Sequence, residues 1–174
     1  MTERAPATAV TAPIEAVAKS EDGEKELFLR HGDLWLRGPS GEPEKLLVEG
    51  RGKNCLPSRD DASCFVLGDF HNIEFHPDGK RALFSVSPGR GEEIISVELE
   101  TAKLRRLAWA FGHEHVLIRK GPNKGHLLLA NGFTQSGVWR CMLVDGVTGR
   151  GIRDVDDAAP GCYATPEVRK LLGF

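Results

Sequence analysis

The chain has 174 residues, 40% of them hydrophobic and 28% charged, with a net charge of −2. That is the make-up of a globular domain long enough to bury a core. A slightly acidic chain with scattered basic residues lacks the basic stripe of a nucleic-acid binder, and no apolar run reaches the ~20 residues of a membrane helix.

Residues 1–25 are rich in Ala, Thr, Pro, Glu and Lys and hold no aromatic side chain. They are expected to form a disordered lead, with one or two helical turns at most over Ile14–Lys19. The lead lacks the basic start and apolar stretch of a secretory signal. The protein is therefore cytoplasmic if this N-terminus is native, or exported if a signal has been removed.

A β domain is expected over 26–157. Glu26 to Arg37 alternates on either side of His31-Gly32, which predicts a hairpin with Leu27, Leu29, Leu34 and Leu36 facing inward. The turn cluster Gly38-Pro-Ser-Gly-Glu-Pro43 leads to a strand at Lys45–Val48, giving this first unit three strands. Residues 49–70 show no sustained periodicity and form the longest irregular stretch of the domain. Loops of that length are mostly functional or disordered.

Two fuller units follow. In the first, strands at 72–75 and 81–86 flank Pro77-Asp-Gly79, where Pro presets φ and Gly accepts a positive φ. Strands at 93–99 and 104–107 flank Glu100-Thr-Ala-Lys103. In the second, strands at 116–119 and 126–130 flank Gly121-Pro-Asn-Lys-Gly125, and those at 138–144 and 151–154 flank Asp145-Gly-Val-Thr-Gly-Arg150. A period of roughly 40–50 residues with four short strands is the pattern of a propeller blade. The tail, 158–174, predicts a short helix with Thr165 as N-cap and Pro166 at the first position.

The segment Phe75-His-Pro-Asp-Gly-Lys-Arg-Ala-Leu-Phe-Ser85 is similar to the Pro-Asp-Gly-Lys hairpin of TolB-type (WD40-like) β-propeller repeats. Gly32-Asp-Leu-Trp-Leu-Arg-Gly-Pro-Ser-Gly-Glu-Pro-Glu-Lys-Leu46 resembles the third and fourth strands of the same repeat. The resemblance implies an all-β chain of antiparallel four-stranded blades, about two and a half of them. Propellers close with at least four blades, so an incomplete propeller or open sheet array is expected, with sheet edges that must be covered. Homodimer formation through those edges is one way to cover them.

The four cysteines contain no Cys-x-x-Cys, so zinc-ribbon and thioredoxin patterns are absent. Of the three pairings open to them, Cys55–Cys64 and Cys141–Cys162 are the most local. These are the expected disulfides, and they point to a periplasmic or exported protein. The alternative is four reduced thiols.

Gly-x-Ser-x-Gly, P-loop and Gly-x-Gly-x-x-Gly motifs are all missing. Asp60-Asp61 and Asp156-Asp157 are adjacent rather than opposed, as solvated charge is. No catalytic set, cofactor or bound metal is expected. Small exported chains of two or three blades with paired cysteines and no catalytic motif look like the immunity proteins that block secreted antibacterial hydrolases. That resemblance implies a protein partner, a cell-wall or lipid hydrolase effector, plugged by a loop carrying Arg51, Lys53, Leu56, Pro57, Ser58 and Arg59. Trp109 and Phe111 offer a second aromatic surface. Two other readings stand beside it. One is a hydrolase using His113, His115 and His71 on a metal or beside a cysteine, and the other is a scaffold subunit of a larger propeller assembly.

Overall fold

The computed structural model describes residues 15–51, 53–55, 64–66, 70–87, 92–110, 115–133, 139–156 and 170. Fourteen strands are described, and Lys170 is helical. The first sheet is β1 (Glu15–Lys19), β2 (Glu26–Arg30), β3 (Asp33–Arg37) and β4 (Lys45–Val48), in chain order. A two-stranded ribbon, β5 (Lys53–Cys55) and β6 (Cys64–Val66), follows it. An eight-stranded sheet then divides into two four-stranded meanders. One is β7 (His71–Phe75), β8 (Arg81–Val86), β9 (Glu92–Glu98) and β10 (Leu104–Ala110). The other is β11 (His115–Leu117), β12 (Leu127–Phe133), β13 (Trp139–Val144) and β14 (Gly151–Asp156). They join at the single pair Ala110–Gly132. The molecule is therefore an open, propeller-like array of three blades.

Sequence accounts for the turns. His31 and Gly32 both take positive φ (54° and 83°), the type I′ geometry whose twist matches a two-residue hairpin. Gly79, at φ 69°, closes the Pro77-Asp78 turn by donating its N–H to the His76 carbonyl at 3.0 Å. The β9–β10 and β13–β14 turns are one device used twice. Ala102 N–H returns to the Glu98 carbonyl, and Gly149 N–H to that of Asp145. Both donors sit at positive φ, 57° and 75°.

Period-two alternation then packs the blades face to face. On the middle blade, Ala82, Phe84, Val86, Ile95 and Val97 point toward the first blade and meet Leu27, Leu34, Leu47 and Val48. Leu83, Ile94 and Leu107 point the other way, onto Leu117, Leu127, Leu129 and Val144. Burying each such side chain contributes about 1.5–3 kcal/mol, so both faces of the middle blade are committed. The outward face of the first blade is closed differently. Phe28 stacks on Trp35 at 6.4 Å, and the Arg30 guanidinium lies 5.1 and 5.2 Å from their rings. Arg37 lies 4.8 Å from Phe28. Glu44 binds both arginines, at 2.6 and 3.0 Å, and they hold its carboxyl below its ordinary range. A charged lid thus covers an aromatic pair on this face.

Two expectations need correction. Residues 15–19 form a strand, not a helical turn in a disordered lead, so the first blade has four strands and the array three full blades. A one- or two-turn helix cannot repay its own nucleation, whereas Val17 and Ala18 gain contact with the shared core. The 49–70 stretch, expected to be irregular, contains the β5–β6 ribbon. The helix expected from Thr165 lies outside the described residues except for Lys170.

Candidate functional site

Neighbouring strands of every blade are antiparallel, so connections alternate between two ends. Tight turns at 20–25, 76–80, 99–103 and 145–150 occupy one end. At the other, β4, β8, β10 and β12 finish and β7, β9, β11 and β13 begin. The β5–β6 ribbon leaves β4 and returns to β7, so it belongs to this loop end, as does Trp109 near the end of β10. The ribbon strands and Trp109 therefore share one end of the described structure.

Within the ribbon, Cys55 stands directly opposite Cys64. Opposed antiparallel residues have Cα atoms about 4.5–5.5 Å apart, inside the range of roughly 4.4–6.8 Å that a disulfide spans. Arg51, just before it, is exposed, and Lys53 lies on β5. Leu56, Pro57, Ser58, Arg59 and Phe111 lie outside the described residues. Trp109 is half-buried and opposite Glu93. Cys141 is 4% exposed and disulfide-bonded; its expected partner, Cys162, lies outside the described residues.

Beneath the loop end lies a buried polar network that composition alone does not reveal. Glu92 is fully buried. Its carboxylate accepts the Ser85 hydroxyl at 2.6 Å and the Asn72 amide at 3.3 Å. Asn72 also donates to Ser85 at 3.2 Å and holds a left-handed φ of 49°, a strained state for a side chain other than Gly. His115 Nδ1 comes within 3.4 Å of the second Glu92 oxygen. Burial pushes the His115 pKa below 6.5, against the upward pull of Glu92 and Glu74. The network ties β7, β8 and β9 to β11, the first strand of the next blade.

Of the histidines considered for chemistry, His115 therefore faces a carboxylate, His71 is exposed and His113 lies outside the described residues. No group of three His, Cys, Asp or Glu side chains suited to a metal ion forms among the described residues. His76 works at the opposite end. It is 5% exposed and its Nε2 donates to the Gly125 carbonyl at 2.9 Å, pinning the Pro77 turn to the third blade. A signal for the network was present in the pattern. Ser85 shares the parity of Leu83, and Glu92 that of Ile94, so both are polar side chains on a core-facing row.

No protein-family model matches the chain, and no curated protein does. Solved structures similar to it include a TolB-like protein of Agrobacterium tumefaciens (16% identity, 84% of this chain and 51% of that one, TM-score 0.47). Another is TolB of Acinetobacter baumannii (14%, 86% and 45%, TM-score 0.36). A third is an oligogalacturonate lyase in complex with manganese (13%, 85% and 37%, TM-score 0.45). The chain thus spans about half or less of these proteins. The three-blade description rests on its own strand order and core.

Proposed function

We propose that this chain is a protein-binding module, an exported inhibitor that occludes the active site of a secreted hydrolase toxin with the loop between Cys55 and Cys64. The observation that carries the reading is the ribbon itself: an insertion between two blades, at the loop end, whose strands place Cys55 opposite Cys64. In this reading a disulfide there closes the segment 56–63, and a second joins Cys141 to Cys162. A covalently closed loop is ordered before it meets its partner and so loses less entropy on binding. Arg51, Lys53 and Arg59 supply charge around Leu56, Pro57 and Ser58, and Trp109 with Phe111 extends the same end.

Inhibition is the test. The purified protein is titrated against a panel of purified muramidase, amidase and phospholipase effectors, and it should abolish the activity of one near stoichiometric ratio. Ser58→Ala with Arg59→Ala should raise the required concentration at least tenfold while leaving the melting temperature unchanged. Failure to inhibit any of them defeats the reading. Inhibition lost in Trp109→Ala but kept in the loop variant moves the interface to the aromatic surface. Non-reducing peptide mapping that finds four free thiols would remove the closed loop.

A further inference from the structure

The seam between the second and third blades opens at the turn end into a cavity of about 90 Å³, unrelated to the loop-end reading. Its lining follows from strand parity. Leu83 and Ile94 face the third blade, so Arg81 on β8, and Ser96 and Glu98 on β9, share that face. Arg81 stands opposite Glu98 and Arg105 opposite Ser96. The Glu98 N–H donates to the Lys103 carbonyl, which sets Lys103 beside the same row. Leu104, between the two exposed cations, packs into the other core. Thr148 of the β13–β14 turn completes the rim.

Three cations thus face one carboxylate. Glu98 already accepts the Thr101 hydroxyl at 2.8 Å, and Arg81 is held by Asp78 at 3.1 Å. Lys103 and Arg105 form no ion pair among the described residues. Ser96 is 4% exposed and lines the cavity, and its hydroxyl has no hydrogen-bond partner among the described residues. The Ser96 side chain stands on the cavity wall, where its hydroxyl can donate to a ligand oxygen. The space equals roughly three water volumes at ~30 Å³ each, which suits one tetrahedral oxyanion.

From these features we infer that the cavity binds a phosphate group, with Lys103 and Arg105 as its charged jaws and the Ser96 hydroxyl as its inner donor. The group is either free phosphate or the head of a small phosphomonoester. Exposed cations bind weakly and are screened by salt, so dissociation constants in the millimolar range are expected.

Amide chemical shifts of Ser96, Lys103, Arg105 and Thr148 are followed while inorganic phosphate, or separately glycerol 3-phosphate, is added at constant ionic strength. Saturable shifts with one common constant are expected, weakened about tenfold or more in Lys103→Gln and Arg105→Gln. Both substitutions are on exposed positions, so the fold is retained. Tighter binding of glycerol 3-phosphate identifies a phosphomonoester head; equal or weaker binding identifies free phosphate. Shifts that do not saturate, that sodium chloride reproduces, or that survive both substitutions overturn the inference.

Discussion

Gly149 and Gly79 both sit at positive φ, 75° and 69°, yet they differ in what surrounds them. A Cβ on Gly79 would meet open space, whereas one on Gly149 would run into the backbone carbonyl of Leu107. Gly79→Ala should therefore cost only the left-handed backbone penalty, about 1 kcal/mol. Gly149→Ala adds a collision with backbone that cannot swing aside and should cost at least ~2 kcal/mol. Urea denaturation of the two variants checks the ordering; equal costs would mean the turn yields. His115 makes a second residue-scale prediction. Its folded pKa lies below the ordinary 6.5 because burial disfavours the cation. The unfolded chain then binds more protons in the window below pH 6.5, so stability falls as pH drops through that window and levels off above it. Unfolding curves between pH 7.5 and 5.5 should show this slope in the native protein. His115→Gln should flatten it, and an unchanged slope would assign it to other groups.

Most strands were legible because the alternation of apolar residues is strict. Leu27, Leu29, Leu34 and Leu36 were read as inward; Leu27 and Leu34 are fully buried, and the other two pack partly against the same core. What was not legible depended on partners distant in sequence. Phe28 reads as outward and is outward, yet it is fully buried because Arg30, Arg37 and Trp35 lie over it. Glu15-Ala-Val-Ala-Lys19 has the composition of a helix and becomes a strand because β2 offers it an edge. The Glu92 network was missed for a related reason: a buried carboxylate is tolerable only with its donors in place, and Asn72 and Ser85 reach it through strand pairing. The β1 assignment can be tested directly. Val17→Asp would place a charge against the shared core and should cost about 2 kcal/mol or more, whereas in a disordered lead it would change nothing measurable. A melting temperature equal to that of the native protein would return residues 15–19 to the lead.

At the scale of the molecule, an open array has no ring closure to share strain around, so each blade is held only by its neighbours. The first blade is fastened by the core around Phe84 and Val97 and by Lys45, which donates to the carbonyls of Leu99, at 2.9 Å, and Glu100. The third is fastened by the core around Leu83 and Ile94, by His76 on Gly125, and by Arg119 on Glu74. Phe84 and Leu83 are adjacent in sequence and point into opposite seams, so truncating each probes one seam alone. Phe84→Ala and Leu83→Ala should each cost about 2–5 kcal/mol as cavities in a packed core. Nearest-neighbour coupling predicts that the loss is local. In native-state hydrogen exchange, Phe84→Ala should release the amides of β1–β4 while those of β11–β14 keep their protection. Leu83→Ala should do the reverse. Equal loss of protection across all three blades in both variants would show that the array unfolds as one cooperative unit, and the seams would then not be separable.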